Sequence, residues 1–319
     1  MSDLASLPAY GGPGWKARSS DSRLELGSLW ASCGLDSEWR PLKSVLLHRP
    51  GGELEGVSDD PTGALMRTEI DPPAISLQHD ALAQLYRSRG IDVFYVEPPV
   101  TPPPNQLFAA DTFVMTPGGA IVARPASAVR AGEERWVARA LAKLGIPIVR
   151  SVGGGGTFEG ADLMWLAPDA ALVAEGLRTN AEGANQVAGA LGDLGVKTFR
   201  THLPPGTMHL MGQLRILDRE LALGWPGRLP EDAVQALEAS EFEVVFLPDD
   251  TEAQHSFAFN FVVLGPREIV MPSGNPQTQG FYEDLGISCH TVDVEEIGKA
   301  AGSIGCLTGI LEREQSLHG

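Results

Sequence analysis

The chain has 319 residues, of which 43% are hydrophobic and 20% charged, with a net charge of −17 and a pI near 4.8. This composition predicts a folded protein with a large core, and its acidity argues against nucleic acid or an anionic membrane as a partner. No apolar run approaches the ~18–20 residues of a membrane span. Residues 1–20 lack the apolar segment of a signal peptide, so we expect a cytoplasmic protein.

Three cysteines, Cys33, Cys289 and Cys306, form an odd and sparse set. Such a set argues against a disulfide scaffold and fits a reducing compartment. The chain has no CxxC pair, and its seven histidines show no metal-ligand spacing. We therefore expect no metal and no cofactor.

Residues 1–40 carry Gly, Ser and Trp and are predicted to form an N-terminal extension packed on the outside. No charge run or proline-rich linker divides the rest, so residues 41–319 are predicted to form a single domain. The glycine- and acid-rich loop 51–63 follows the first apolar strand, at residues 42–51. It fits a mobile lid over a site and a plain surface loop equally well.

Four segments share one pattern: an apolar strand, a short turn containing Pro, Gly or Asp, and a second apolar strand. This pattern predicts β-hairpins, and their first residues are separated by 51, 51 and 47 positions. The hairpin segments are 111–125, 162–176, 213–227 and 260–274. Such spacing indicates an internal repeat.

Helical apolar spacing follows most hairpins, and several of these segments end in glycine, as helices often do. The helical segments are 75–90, 131–145, 181–195 and 230–240, and five short apolar strands follow, beginning near residues 91, 146, 196, 242 and 287. The repeated unit is therefore strand–strand–helix–strand (ββαβ), which places the chain in the α/β class.

A fifth unit begins at Cys306, which lies 46 positions after Asn260. Its strand, "CLTGILER", lacks a following partner, and the N-terminal "LKSVLLHRPG" (42–51) is the predicted one. A repeat that is completed by both chain ends indicates a closed ring. We expect the glycines of "GSIGC" to let the backbone approach a small planar substrate.

Polar groups recur where the hairpins begin: Asp111, Asp162, the segment after His209, Asn260 and Cys306, with Glu159 just upstream of Asp162. In a ring these positions converge. Carboxylates hold a planar guanidinium through bidentate hydrogen bonds, a cysteine thiolate attacks an electrophilic carbon, and a histidine protonates a leaving amine. Taken singly, Asp111 fits a turn cap, Glu159 a solvated residue and His209 a core histidine.

Five motifs in this order resemble the guanidine-modifying pentein superfamily of arginine deiminases, dimethylarginine dimethylaminohydrolases and amidinotransferases. They are "PNQLFAAD" (104–111), "FEGAD" (158–162), "LRTNAEG" (177–183), "MHLMG" (208–212) and "GSIGCLTG" (302–309). The resemblance spans residues 40–313 and implies a five-bladed, pseudo-symmetric α/β propeller of ββαβ units.

The resemblance also implies roles for individual residues. Cys306 would be the nucleophile, His209 the general acid and base, and Glu159 a catalytic carboxylate. Asp111 would bind the substrate guanidinium, and Arg130 and Arg178 would bind the substrate carboxylate. Asn105 and Phe108 would line the pocket. Asp162 would either touch substrate or only orient Glu159 and His209.

The chain departs from the deiminase pattern at two positions. Ala110 stands where deiminases have an arginine, and Met211 stands where deiminases and amidinotransferases have an aspartate. An apolar Met suits a substituted guanidine nitrogen, because an unpaired carboxylate beside a methyl group is costly. The leading hypothesis is therefore a hydrolase of arginine or an N-substituted arginine that yields citrulline.

Two other functions stay open at this point. An amidinotransferase would pass the amidino group to an amine, and a non-catalytic protein of the same ring fold would bind a macromolecule. The substrate class in the leading hypothesis is a small guanidine, and the sequence leaves a homodimer open.

Overall fold

The computed structural model describes residues 4–316. Residues 1–3 of the predicted N-terminal extension and residues 317–319 of the predicted domain lie outside the described residues. The described part contains five three-stranded sheets, each of which is one blade of the α/β propeller. In every blade two strands pair antiparallel, and the third lies parallel to the middle strand.

The chain order of the strands is that of the predicted repeat. The first blade holds β1, β2 and β15, and the following blades hold β3–β5, β6–β8, β9–β11 and β12–β14. The strands are β1 Leu42–Leu47, β2 Asp92–Tyr95, β3 Phe113–Thr116, β4 Gly119–Val122, β5 Ile148–Ser151, β6 Leu163–Ala167, β7 Ala170–Glu175, β8 Lys197–His202, β9 Leu214–Ile216, β10 Leu221–Gly224, β11 Glu243–Phe246, β12 Val262–Gly265, β13 Glu268–Pro272, β14 Ser288–Val292 and β15 Gly309–Arg313.

Five helices connect the middle and outer strands, and three short ones lie elsewhere. They are α1 Pro72–Ser88, α2 Glu133–Lys143, α3 Ala181–Asp193, α4 Glu231–Glu238, α5 Thr251–Ser256, α6 Pro276–Asp284, α7 Glu295–Lys299 and α8 Ile304–Leu307. Asp71 caps α1 and Asn180 caps α3 by accepting backbone N–H groups. Glycine with positive φ follows four of the connecting helices, which are α1, α2, α3 and α6, at Gly90, Gly145, Gly195 and Gly286.

The predicted closure of the ring is confirmed. β15, next to the C-terminus, pairs antiparallel with β1, and Ile310 lies opposite Val45. Cys306, however, was predicted to open that strand, and it lies instead in the single helical turn α8 just before it. The apolar faces of the connecting helices pack against their blades and form the core; on α2, Val137 and Leu141 are fully buried.

The predicted N-terminal extension lies only partly on the outside. Cys33 and Leu35 are buried in the core, and Gly34 forms a β-bridge with Glu312 beside β15. The backbone N–H of Trp165 donates to Glu38 at 2.8 Å. Residues 33–38 therefore belong to the packed propeller, because their apolar side chains cover the blade that closes the ring.

The loop 51–63 is anchored by two buried side chains, Leu54 and Val57, which join the core of the first blade. The neighbouring Ala64 carbonyl accepts a hydrogen bond from Asn105 Nδ2 at 2.8 Å. The lid function stays a prediction. Within residues 4–316, no helix is both long and apolar enough to cross a membrane.

Candidate active site

The segments that precede the innermost strands converge at the centre of the propeller. Asp111 and Asp162 each end a short 3₁₀ turn before β3 and β6, and His209 directly precedes such a turn before β9. Asn260 and Cys306 precede β12 and β15. Repeat-equivalent positions therefore deliver chemically different side chains to one place.

Cys306 is half-buried and shares a cleft of about 300 Å³ with His209 and Asn260. The Asn260 amide holds the thiol from one side: Nδ2 donates to Cys306 Sγ at 3.1 Å, and Oδ1 accepts from the Gly305 N–H at 2.7 Å. Asn260 was not among the predicted site residues. Its place at the start of a hairpin, equivalent to Asp111, was the available signal.

The rest of the cleft wall is largely apolar. The wall residues nearest in sequence to His209 are Met208 and Met211, and two glutamines and an arginine add polar groups. The other side chains of the wall are Gln213, Trp225, Arg228, Ala253, Gln254, Phe257, Phe259 and Ala301. A larger cavity of about 640 Å³ shares Phe257 with this cleft, but its described lining holds no predicted site residue.

Glu159 is the centre of a buried charge cluster beside the cleft. His209 Nε2 lies 2.7 Å from Glu159 Oε2, and Arg178 Nη1 donates to Glu159 Oε1 at 3.2 Å. The Ala126 N–H also donates to Oε1, at 3.1 Å. Each carboxylate oxygen of Glu159 is thus hydrogen-bonded by groups from different blades.

Asp111 lies on the other side of His209. Arg130 Nη1 donates to Asp111 Oδ2 at 2.6 Å, while His209 Nδ1 lies 3.8 Å from Asp111 Oδ1. Oδ1 is buried and has no hydrogen-bond partner within residues 4–316. A buried carboxylate oxygen without a partner is an acceptor ready for an incoming donor.

Arg130 was predicted to bind the substrate carboxylate, but in the structure its partners are acidic side chains of the protein. Its guanidinium is buried and already paired with the protein's own acids: it donates to Asp111, and Nη2 donates to Glu133 at 2.7 Å. Glu133 was not predicted as a partner, although its i,i+3 spacing from Arg130 was a signal. Arg178 is 11% exposed and is the more accessible of the two arginines.

The remaining predicted residues are Asp162, Asn105 and Phe108. Asp162 accepts from Thr179 Oγ1 at 2.7 Å and from the Leu210 N–H at 3.0 Å, so both oxygens are occupied by protein groups. Asn105 and Phe108 are buried, and the described cleft lining includes neither. The Phe108 ring packs against Gly302, where any Cβ would collide with it.

The comparisons with known proteins agree with this arrangement. Residues 65–311 match the family model described as eukaryotic N,N dimethylarginine dimethylhydrolase. The chain belongs to this family. Its members are hydrolases that act on C–N bonds of linear amidines.

Two relatives carry the name N(G),N(G)-dimethylarginine dimethylaminohydrolase. The protein from Pseudomonas aeruginosa is 28% identical over 72% of this chain and 86% of its own length. The protein from Streptomyces coelicolor is 28% identical over 84% of this chain and 96% of its own length.

Solved structures show the same fold. A citrulline complex of the Pseudomonas aeruginosa enzyme superposes with a TM-score of 0.71 at 24% identity and covers 85% of this chain and 99% of its own. SxtG, an amidinotransferase from Microseira wollei, superposes with a TM-score of 0.72 at 16% identity and covers 91% and 99%. The predicted superfamily and its five-bladed propeller are confirmed.

The charges of this family member's site favour an ionised histidine and glutamate. Burial alone would lower the pKa of His209, but Asp111 and the hydrogen bond to Glu159 outweigh it and raise that pKa. Burial would likewise raise the pKa of Glu159, but His209, Arg130 and Arg178 outweigh it and lower that pKa. At neutral pH the pair is therefore an imidazolium and a carboxylate.

Burial raises the pKa of the Cys306 thiol, and the Asp111 charge raises it further. Hydrogen bonds from Asn260 and the Ser303 backbone, and the charge of Arg215, act in the opposite direction. The resting thiol is therefore largely protonated until a cationic substrate arrives, since a nearby positive charge favours the thiolate.

Asp111, Glu159 and His209 each offer one metal-ligand atom, and these atoms lie within 4.8 Å of one another. Asp111 Oδ2 and both oxygens of Glu159, however, already receive hydrogen bonds from Arg130, Arg178 and His209. These carboxylates thus already bind planar organic cations, the guanidinium and imidazolium groups of the protein, and a substrate of the same kind fits them.

Proposed function

We propose that the protein hydrolyses dimethylarginine to citrulline and dimethylamine. One observation carries this proposal: the Cys306 thiol and the His209 imidazole line a single cleft, and Glu159 hydrogen-bonds His209. A nucleophile and a general acid are then available to one guanidine carbon. The names of the two bacterial relatives support the choice of substrate.

We assign the guanidinium to the space between Cys306 and the carboxylates. Asp111 Oδ1, which lacks a partner among residues 4–316, would accept one guanidinium N–H, and Glu159 would accept another. Arg178, which is partly exposed, would bind the substrate carboxylate. For Arg130 we propose a different role, because three acids surround it: it neutralises Asp111, Glu133 and Glu159.

When the cationic substrate binds, the Cys306 thiol gives its proton to solvent, because His209 already holds a proton. In the first half of the reaction, the resulting thiolate attacks the guanidinium carbon and a C–S bond forms. The C–N bond to the methylated nitrogen breaks, and His209 gives its proton to the departing dimethylamine. The product on the enzyme is a thiouronium that retains the amino-acid part. Asp162 acts as a positioning residue here, because it accepts the N–H of Leu210 next to His209.

In the second half, His209 takes a proton from water as the water attacks the thiouronium carbon. The C–S bond breaks, the thiolate is restored, and the second proton of the water leaves to solvent or to the released dimethylamine. The carbon keeps the new oxygen as the ureido group of citrulline. One water is consumed for each dimethylamine released. The bound amide of Asn260, 3.1 Å from Sγ, stabilises the thiolate when it forms and when it leaves.

The preference for a methylated nitrogen follows from the wall beside His209. Met211 lines the cleft and is half-buried, and Met208 lies next to His209 in the chain. A methylated amine that lies against this wall displaces water from the apolar surface. Each methyl group buried there favours binding by about 0.8 kcal/mol. An unsubstituted nitrogen would lose hydrogen bonds there.

Citrulline formation from arginine, monomethylarginine, and the asymmetric and symmetric dimethylarginines tests the proposal. We expect the highest kcat/KM for asymmetric dimethylarginine, with stoichiometric dimethylamine. Absence of citrulline from every substrate would refute hydrolysis. Ornithine release that depends on added glycine would identify amidino transfer instead.

The cellular location belongs to the same proposal. The three cysteines are unpaired and the chain is strongly acidic, which supports a reducing cytoplasm. Fractionation of expressing cells tests this location, and sedimentation at several protein concentrations tests the homodimer that the sequence left open.

A further inference from the structure

Arg215 is a buried cation beneath the turn that carries Cys306. It lies in the middle of β9 and is 6% exposed. Its Nε donates to the Phe259 carbonyl at 3.0 Å, and its guanidinium carbon lies 5.2 Å from the Phe261 ring centroid. Nη2 is buried and lacks a hydrogen-bond partner within the described chain.

The unpartnered nitrogen faces the residue next to the nucleophile. A Cβ placed on Gly305 would lie 2.8 Å from Arg215 Nη2 and 2.7 Å from Asn260 Oδ1. Only glycine therefore fits between the guanidinium and the amide. Gly305 therefore makes room for Arg215 and Asn260, and the expected approach of substrate to this glycine stays a prediction.

A second acid–base group lies near the guanidinium. Glu38, from the segment before β1, shares a small axial cavity with Arg215, Arg313 and Gly305. Cys306, Tyr282 and Glu38 are the groups whose charges act on Arg215, and Arg313 adds a further cation to the cavity. Arg215 thus shares a cavity with one carboxyl group, and its charge acts on the Cys306 thiol.

This arrangement is costly for packing alone. Burying a cation with an unused donor is unfavourable, and an apolar residue of similar length would fit a strand facing Phe261. The unused N–H groups of Nη2 instead lie against Gly305, next to Cys306, and the charge of Arg215 favours the thiolate. Preorganised donors of this kind stabilise such a charge without reorganisation.

We propose that Arg215 is a positioning residue of the reaction: it fixes the turn at Gly305 and stabilises the Cys306 thiolate from below, with Glu38 as its counter-charge. The inference rests on the proposed role of Cys306 as the nucleophile. The opposing influences are burial and the charge of Asp111, both of which disfavour the thiolate.

The ionisation of both groups supports this geometry. Arg215 and Asn260 lower the pKa of Cys306 against the effect of burial. Burial lowers the pKa of Arg215 to about 10, while Cys306 and Glu38 act to raise it. The guanidinium is therefore charged at neutral pH.

The test is the pH dependence of Cys306 alkylation by iodoacetamide in the absence of substrate, followed by peptide mass spectrometry. Arg215→Met removes the charge but keeps the length. We expect it to shift the alkylation midpoint upward by about one pH unit or more, as loss of an adjacent opposite charge does. Arg215→Lys should restore most of the shift, and Glu38→Gln should move the midpoint downward.

A folded Arg215→Met protein with an unchanged midpoint would overturn the inference. If Arg215→Met does not fold, Arg215→Lys and Glu38→Gln carry the test, and an unchanged midpoint in Glu38→Gln would overturn the role of Glu38. Alkylation does not depend on the substrate. An active enzyme whose alkylation midpoint does not change when Arg215 is replaced therefore refutes this inference and leaves the proposed function standing.

Discussion

His209 Nε2 lies 2.7 Å from Glu159 Oε2, and both side chains are buried at the centre of the propeller. The two residues are 50 positions apart and come from neighbouring repeats. Because the carboxylate stabilises the imidazolium, His209 holds a proton at neutral pH that it can give to a departing amine. The predictions below begin from this pair.

Replacing the Glu159 carboxylate by an amide should weaken His209 as a general acid. In Glu159→Gln we expect kcat to fall by about 100-fold or more. The alkaline limb of the kcat profile should move to lower pH, since His209 loses the partner that raises its pKa. Steady-state assays between about pH 6 and 10 measure both effects. Glu238→Gln, on the exposed side of α4, is the matched control, and an unmoved alkaline limb in Glu159→Gln would contradict the pairing.

The same pair should give the folded protein a characteristic pH dependence. The pKa of Glu159 is lowered by folding, so its contribution to the free energy of unfolding is present above pH ~4.3 and is lost as pH falls below it. The pKa of His209 is raised, so its contribution is complete below pH ~6.5 and is lost as pH rises. Urea unfolding across this range should show both losses in the wild type, and the acid loss should shrink in Glu159→Gln.

Removal of Arg130 should destabilise the protein strongly. Arg130→Met leaves Asp111 and Glu133 buried without their cation. We expect the free energy of unfolding to fall by about 3–5 kcal/mol, as when one partner of a buried ion pair is lost. Urea denaturation measures this change. Arg139→Met, on the exposed face of α2, should change the stability by less than about 0.5 kcal/mol, and equal effects of the two substitutions would refute the role of Arg130.

A methyl group at residue 305 should misplace the nucleophile. Gly305→Ala puts a Cβ against both Asn260 and Arg215, so the turn with Cys306 must shift. A displacement of about 1 Å can cost 100-fold in rate, and we expect a loss of that order in kcat with the fold intact by circular dichroism. Gly189→Ala in α3, where a Cβ meets nothing within 4 Å, is the control and should keep full activity. Full activity in Gly305→Ala would show that the close approach is not needed.

The repeat made the fold predictable from the sequence. Hairpin turns, apolar strands and the glycines after helices are local signals, and they recur from blade to blade. Helix α6 was missed because its sequence, "PQTQGFYED", carries few apolar residues at helical spacing. Cys306 was placed in a strand because "CLTGIL" is apolar throughout, whereas Asn260 holds its turn in a helical conformation.

The individual site contacts were harder to predict. The partners of Arg130 come from three segments of the chain. Its pairing with them depends on distances that cannot be read from the spacing of residues in the sequence. Arg215 gave no signal either, because an arginine in the middle of an apolar strand looks like an exposed edge residue until burial is known. Asn105 and Phe108 were assigned by motif; both are buried, and their contact with substrate stays a prediction.

The covalent intermediate on Cys306 tests the central claim most directly. Wild-type protein is mixed with asymmetric dimethylarginine, quenched in acid during turnover and digested for peptide mass spectrometry, with Cys289→Ser and Cys306→Ala proteins run in parallel. The account predicts an adduct on the Cys306 peptide with the mass of the substrate less dimethylamine, present in Cys289→Ser and absent in Cys306→Ala. An adduct that carries only the amidino carbon and its methylated nitrogen, with loss of ornithine, would contradict hydrolysis at the methylated bond, and turnover by Cys306→Ala would contradict the nucleophile.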